Sequence, residues 1–377
     1  MIKNKIKLCI ISQGGSVHLR RALGYLAARN YDVYLLTEEP SEVPGITEFL
    51  VKDHVFDLPR LRLVARLIFY RRMLRRIKPD ILHIICVHPY NAVAALLGFH
   101  PLVITAWGAD ILPEQGALKA FSSRLLLRLA IYRADHVIGV SQEIKSLLDQ
   151  KKKKRTPSHL IKFGVDHEVF NENETAGSLA KKTGNADEIV VFCPRALTPI
   201  YNIDVVVEAF RLVLLKHKKA KLVLKSYGSG DDADYLSGLK ASIKKAGMSD
   251  SVSIIDGWLT ERELADIYKS SDLVISIPSS DGMPTSVLEA MACGVPVIAS
   301  DLPSMKEIIV PGENGFLVPV RQVEKLASTI ISFIENKGNY SQYGARCAAF
   351  TRQEADHQLE MKKIEALYNK IGAEGTL

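Results

Sequence analysis

Ile277-Pro278-Ser279-Ser280-Asp281-Gly282-Met283-Pro284-Thr285-Ser286-Val287-Leu288-Glu289-Ala290-Met291-Ala292-Cys293-Gly294-Val295-Pro296-Val297-Ile298 decides how the rest of the chain is read. It has the form strand, Gly/Pro turn, short helix, glycine stop, strand. Two carboxylates stand on either side of the turn-to-helix junction, Asp281 in the loop and Glu289 inside the helix, with seven residues between them. The first N–H groups of a helix have no intrahelical acceptor, and the macrodipole is positive there, so that end attracts anions. Anion-binding amides beside carboxylates suit a ligand with phosphate at one end and hydroxyls at the other, as in a nucleotide sugar.

Working outward, the same strand–helix rhythm fills both halves. Apolar runs at 6–12, 31–37, 81–87, 102–106 and 136–140 read as strands, with helices at 19–29 and 60–77. The second of these helices carries Leu63, Leu67, Tyr70, Leu74 and Ile77 at spacings of four and three. Residues 171–188 are polar and read as a surface excursion. The rhythm then restarts with strands at 189–193, 221–225, 252–255 and 273–277, and helices from 204, from 234 and at 261–269. Such alternation predicts parallel sheets covered on both faces.

The chain has 377 residues, enough for two domains, with 47% hydrophobic and 24% charged residues. Its five cysteines are scattered, with no C-x-x-C pair, and read as buried thiols in a reducing compartment. The apolar run at 6–12 is too short for a signal-peptide core, and no uninterrupted apolar stretch is long enough to span a bilayer. Charge is uneven: residues 1–170 hold 26 basic and 15 acidic residues, the remainder 23 and 27. The first half therefore faces something acidic.

The signature stretch resembles that of the family 4 retaining glycosyltransferases (glycosyl transferases group 1), with Asp281 in place of the first of the family's two glutamates. The resemblance extends to Ser141, to Ile161-Lys162-Phe163-Gly164-Val165-Asp166 with Phe170, to Phe192-Cys193-Pro194-Arg195 leading to Asp204 and Glu208-Ala209-Phe210, and to Asn314-Gly315-Phe316-Leu317-Val318. It implies the GT-B fold, an α/β architecture of two doubly wound Rossmann-like domains facing a central cleft, with ligands at the carboxyl ends of the strands. The expected division is 1–165 (acceptor side), 166–350 (donor side) and a helix over 351–377 crossing back to the first domain.

The resemblance also implies roles. Arg195 grips the departing diphosphate, which a fork of donors stabilises most in the transition state; the bland alternative is a strand-end arginine paired with a local carboxylate. Glu289 is expected on the nucleotide ribose, although Ser286-Val287-Leu288-Glu289 is also a capping box. Asp281 is expected on the transferred sugar, or is an ordinary turn aspartate. Gly282, Met283 and Thr285 offer backbone amides to the diphosphate, and Pro284 suits the first helical turn. The family has a lysine six residues beyond the arginine, before a glycine; here stands Tyr201-Asn202, so a phenol with one hydrogen bond replaces a charge, and Lys225 or Lys306 is the candidate substitute.

Gly14 and Gly15 match a family loop beside the donor diphosphate, or form a plain tight turn. Ser16, His88, Trp107 and Asp110 are placed on the acceptor or sugar side. Trp107 stands where many members have histidine and stacks on a sugar or simply packs. Gly257-Trp258-Leu259 matches the loop whose backbone reads the base, or forms a plain hydrophobic turn. Asp231-Asp232-Ala233-Asp234 contains a D-x-D, read as a solvated helix start rather than a metal site; no metal and no other cofactor is expected.

Arg60, Arg62, Arg66, Arg71, Arg72, Arg75, Arg76 and Lys78 crowd one helix, Arg124, Arg128 and Arg133 another, and 151–155 form a basic run. Such helices read as contacts to an anionic membrane or as solvated faces; no nucleic-acid motif accompanies them. The expected function is metal-independent, retaining transfer of a sugar from a UDP- or GDP-linked donor to a glycan or lipid-linked acceptor in cell-surface polysaccharide or glycolipid synthesis. The expected location is cytoplasmic, peripheral on the inner face of the membrane. The alternatives are a non-catalytic nucleotide-sugar-binding or scaffold protein on the same fold, and a nucleotide-sugar epimerase.

Overall fold

A computed structural model describes residues 5–52, 59–108, 110–112, 121–173, 188–340 and 342–374. The chain divides into two compact units, Met1–Phe163 with Leu359–Leu377, and Gly164–Gln358. The first division falls two residues before the expected one at 165. The tail joins the first unit only from Leu359, because the helix Tyr343–Glu354 belongs to the second unit. Most of the polar excursion expected over 171–188 lies outside the described residues.

The first unit is one parallel sheet of seven strands: β1 Ile6–Ile11, β2 Tyr31–Thr37, β3 Thr47–Leu50, β4 Ile81–Ile85, β5 Leu102–Ala106, β6 His136–Gly139 and β7 Ser158–Leu160, in the order β3-β2-β1-β4-β5-β6-β7. Its central strands are buried at nearly every position, which is why they read as unbroken apolar runs rather than as alternation. Helices α1 Val17–Ala27, α2 Pro59–Ile77, α3 Pro89–Ala92, α4 Phe121–Arg133 and α5 Gln142–Asp149 connect the strands.

The last helix, His357–Glu374, completes this core: Met361, Leu367, Tyr368 and Ile371 are buried in one apolar cluster with Leu8, Tyr31 and Ile81. Its Tyr368 hydroxyl lies 2.6 Å from His83 Nδ1, and His83 Nε2 lies 2.7 Å from Thr105 Oγ1, so both ring nitrogens are satisfied inside the sheet.

The second unit repeats the plan with six parallel strands: β8 Val190–Cys193, β9 Lys221–Lys225, β10 Val252–Ile255, β11 Leu273–Ser276, β12 Val297–Ser300 and β13 Gly315–Val318, in the order β10-β9-β8-β11-β12-β13. Asn314-Gly315-Phe316-Leu317-Val318, quoted from sequence as a loop, is largely this last strand. Gly315 must be glycine there, since a Cβ would stand 2.7 Å from the Val297 carbonyl oxygen.

Candidate active site

In each sheet the strand order reverses at the first strand of the unit, between β1 and β4 and between β8 and β11. The connections leaving two neighbouring strands at such a point diverge to opposite faces, which opens a crevice at their carboxyl ends. In the second unit β8 delivers Arg195 two residues past its end and β11 delivers Asp281 five residues past its own. The fold thus brings together two residues 86 positions apart in sequence.

Arg195 Nη2 donates to Asp281 Oδ2 at 2.7 Å and Nη1 donates to Ser286 Oγ at 3.0 Å. The guanidinium carbon lies 4.1 Å from the centroid of the Tyr201 ring. Both charged side chains are only 11% exposed, a depth at which an unpaired charge is not tolerated. Burial works against the guanidinium charge, but Asp281, followed by Tyr201, outweighs it and raises the arginine above its ordinary range. Tyr201 thus presents its ring face to the guanidinium.

The helix Thr285–Ala292 starts two residues too early for the capping box: Pro284 is its N-cap, and no side chain caps it. Ser286 is thereby placed inside the first turn, where its hydroxyl meets Arg195 instead of the Glu289 amide. Glu289 is buried one turn further on, with the Tyr268 hydroxyl 3.5 Å from its Oε2. Of the amides expected to face a diphosphate, that of Thr285 donates to the Met283 carbonyl at 3.0 Å; Gly282, Met283 and Pro284 are buried in the turn beside Asp281. Ser304 Oγ donates to the Asp281 carbonyl at 2.6 Å and holds the turn from the far side.

Two expected substitutes for the family lysine are otherwise engaged. Lys225, fully buried, donates to the carbonyl oxygens of Ser226 and Gly257, and its ammonium lies 4.5 Å from the Tyr227 ring centroid. Burial lowers its pKa, against Asp231 and Asp256, which raise it. Lys306 pairs with Asp301 at 2.8 Å on the surface. Lys225 thus ties the loop expected to read the base, where Gly257 has φ 91°, Trp258 is 79% exposed and Leu259 is half-buried. Asp231 accepts the Leu197 and Tyr227 amides at 2.7 and 2.8 Å, and Asp232, the first carboxylate of the D-x-D, caps the helix Ala233–Lys245 while Asp234 lies in its first turn.

Sequence reasoning missed two residues. Tyr227 donates to the Pro194 carbonyl at 3.1 Å, sits edge-on to Trp258, and has its hydroxyl pushed up to about 12 by burial and then by Glu289. Its signal was available: it stands two residues past the end of β9, just before Gly228-Ser229-Gly230. Asn202 is fully buried with φ 53°, and its Nδ2 donates to the Ile277 carbonyl at 2.8 Å and to Ser279 Oγ at 3.0 Å. Arg321 donates to Asn202 Oδ1 at 2.8 Å. Asn202 thus staples the turn carrying Tyr201 to the segment leading to Asp281. Its place is that of a glycine in the resembling family, and asparagine is among the few side chains that enter the left-handed region readily.

In the first unit the glycine loop follows β1. A Cβ on Gly14 would stand 2.0 Å from the Glu39 carbonyl oxygen, so its small size serves a close approach to the protein's own backbone. Gly15 faces the Glu39 carboxylate, and Ser16 is the N-cap of α1 without a side-chain capping hydrogen bond. His88 precedes α3, with its ring 5.4 Å from that of Tyr90; burial lowers its pKa.

The Asp110 carboxylate is buried and accepts N–H groups of Val87, Trp107 and Gly108 at 2.8 to 3.2 Å, which holds the backbone of its loop. Burial raises its pKa despite those bonds. Trp107 is edge-on to Phe163 at 5.2 Å and to His18 at 6.4 Å, and its buried indole N–H has no acceptor among the described residues.

Comparison with known proteins now bears on this geometry. The family described as "Glycosyl transferases group 1" matches residues 177–350, and "Glycosyl transferase 4-like" matches 7–142. The lipopolysaccharide core biosynthesis mannosyltransferase LpcC of Rhizobium leguminosarum bv. viciae is 27% identical over 244 residues, 64% of this chain and 66% of that protein. The chain thus spans slightly under two thirds of that relative. Among solved structures, sucrose-phosphate synthase from Thermosynechococcus elongatus superposes with a TM-score of 0.85 at 18% identity, covering 98% of this chain and 100% of that one. Anabaena Alr3699/HepE, solved in complex with UDP-glucose, gives 0.79 at 19% identity, covering 97% and 100%. These likenesses show the GT-B fold.

Proposed function

The chain belongs to the group 1, family 4-like glycosyl transferases, and from that premise we propose that it moves a sugar from a nucleotide-diphosphate donor to a glycan or lipid-linked acceptor, with retention of configuration and without a metal. The observation that carries this reading is Arg195, desolvated, stacked on Tyr201 and aimed at the turn that opens the helix bearing Glu289. In the proposed reaction the bond between the sugar's anomeric carbon and the diphosphate oxygen breaks as negative charge gathers on the leaving phosphate. A fixed guanidinium stabilises that charge more than it stabilises the ground state. The leaving phosphate accepts the proton of the incoming hydroxyl, which bonds to the same face of the sugar.

Glu289 takes the ribose hydroxyls, Trp258 the base, and Asp281 the transferred sugar. The Trp107 indole N–H is a ready donor for a sugar hydroxyl on the acceptor side. Synthesis of a cell-surface polysaccharide or glycolipid at an anionic membrane is the setting this reading implies. LpcC supports it through its named role, and HepE through the UDP-glucose of its complex.

The test is calorimetric titration with UDP and GDP, then with their sugars, followed by transfer assays on Arg195→Lys and Glu289→Gln. Transfer that falls at least a hundredfold in Arg195→Lys, with the fold intact, is expected. Nucleotide-sugar binding without turnover in the unmodified protein would defeat the enzymatic reading in favour of a binding protein, and release of free epimerised sugar would replace it with an epimerase.

A further inference from the structure

Among the described residues of the second unit, two that are not glycine have left-handed backbone, Asn202 at φ 53° and Arg321 at φ 60°, and they are bonded to each other. Side chains enter that region at a cost, and a long one such as arginine is uncommon there. Such conformations persist where the surroundings over-determine them, and they cluster at functional sites. Arg321 lies three residues past β13, the edge strand, and two before the helix Val323–Glu335. That helix packs against the helix Ile203–Lys216, whose N-cap is Asn202. The packing carries the edge-strand loop to the turn that follows β8, three strands away.

Asparagine is among the best N-cap residues, yet here its side chain caps nothing. Its Nδ2 is given to the Ile277 carbonyl and Ser279, and its Oδ1 to Nη1 of Arg321. Arginine only donates, so Arg321 and the Ile277 carbonyl impose the same orientation on the amide. On the other side of Tyr201, the Ser279 amide donates to the Ile200 carbonyl at 2.8 Å. Tyr201 is thus anchored through both its neighbours. Arg321 is fixed in turn: its Nη2 donates to Asp204 Oδ2 at 3.0 Å, and the Tyr235 hydroxyl donates to Asp204 Oδ1 at 2.7 Å while accepting the Asp204 N–H at 2.8 Å. With Arg321 55% and Asp204 41% exposed, this ion pair adds little to stability. What it sets is direction, because one fork spans Asn202 and Asp204 at once.

We propose, resting on the glycosyl-transfer reading above, that Arg321 is a positioning residue for the reaction: it locks the left-handed turn at Asn202 and so keeps the Tyr201 ring against Arg195. Tyr201, Asn202 and Arg321 act as one unit, in place of the lysine and glycine that the resembling family has at 201 and 202. The ring steadies Arg195, and Arg321 secures a turn that glycine would adopt at no steric cost. A guanidinium already in place meets the charge of the leaving phosphate without reorganising, so its loosening lowers kcat more than it raises KM.

Arg321→Gly tests this in the full chain, because glycine keeps the left-handed backbone and removes only the side chain. Its thermal midpoint should stay close to the parent's, while kcat falls roughly fivefold and KM changes by less than about twofold. In a Tyr201→Leu background the same substitution should cost less than about twofold, since the ring through which Arg321 acts is gone. Arg321→Lys keeps the charge but cannot span both partners, and should resemble Arg321→Gly. A second arm needs no turnover. The Arg195 Nε–H resonance of the 15N-labelled protein, identified by its absence in Arg195→Lys, is shifted by the Tyr201 ring. In Arg321→Gly it should move at least half-way to its position in Tyr201→Leu.

Equal losses in the parent and Tyr201→Leu backgrounds would overturn the proposal, and so would an Arg195 resonance that Arg321→Gly leaves in place. Full activity in Arg321→Lys would overturn it by giving Arg321 a charge effect on the diphosphate. A collapsed midpoint in Arg321→Gly would do so in favour of a purely structural role. A parent that binds nucleotide sugar without turnover defeats the transfer reading alone, because the resonance still decides whether Arg321 sets Tyr201.

Discussion

Asp281 Oδ2 accepts a hydrogen bond from Arg195 Nη2 at 2.7 Å, with both side chains nine-tenths buried, so the residue assigned to the sugar is also the counter-ion of the residue assigned to the diphosphate. In the proposed reaction a diphosphate at Arg195 replaces that carboxylate and releases Asp281 toward the sugar hydroxyls. Asp281→Asn leaves the guanidinium buried without its anion, which destabilises the protein by about 3 kcal/mol. UDP supplies the missing charge and should raise the thermal midpoint of the variant more than that of the parent. An equal or smaller rise in the variant means that the diphosphate binds elsewhere.

Tyr201 supports Arg195 with its ring. Tyr201→Phe keeps the ring under the guanidinium and should hold kcat/KM within about twofold, whereas Tyr201→Leu loses a desolvated cation–π contact of about 1–2 kcal/mol and should lower kcat/KM roughly five- to thirtyfold. If phenylalanine is as poor as leucine, the phenol hydroxyl acts and the stacking account is wrong.

The parts of this site legible in sequence are those whose meaning is local. Asp281 and Glu289 stand out because strand, turn and helix follow one another within one short stretch, and Arg195 because it ends an apolar strand. The function of Tyr201 was not legible, since a ring becomes a platform only where the fold lays a cation over it. Asp110 shows the converse: a carboxylate after a strand looks like a ligand group, and only the folded loop reveals that its oxygens take backbone N–H groups. Ser286 and Glu289 matched a capping box by spacing, yet the helix begins at Thr285 and dissolves the motif. Strand β3 was passed over because Thr47-Glu48-Phe49-Leu50 is a short edge strand with no apolar run to mark it. Arg66 hid among surface arginines although it alone of its helix's described basic residues is buried.

Asn202 offers a test of backbone strain against side-chain bonding. Its φ of 53° is a glycine-like conformation, and its amide holds the Ile277 carbonyl and Ser279. Both Asn202→Gly and Asn202→Ala lose those bonds, but alanine also meets the left-handed penalty of about 1 kcal/mol. Urea unfolding should therefore rank alanine below glycine, the reverse of the usual helix-interior preference, with both below asparagine. Alanine at or above glycine would show that the turn relaxes to another conformation and that Asn202 does not fix it.

His83 sets an acid limit on the first unit. Burial pushes its pKa down to about 3, and in the fold its two ring nitrogens lie between Tyr368 and Thr105. The unfolded chain takes up the proton near pH 6.5 while the folded chain resists it, so below that pH the unfolded state binds more protons and stability falls. The contribution is complete above about pH 7 and shrinks progressively between pH 6.5 and 3. By pH 5 the loss amounts to about 2 kcal/mol. His83→Gln cannot titrate, and its amide can donate to one neighbour and accept from the other. Urea denaturation at pH 7 and pH 5 should show the variant weaker at pH 7 but losing about 2 kcal/mol less than the parent on acidification. Equal losses in the two proteins would mean that the imidazole protonates in place, with the last helix still seated on the sheet.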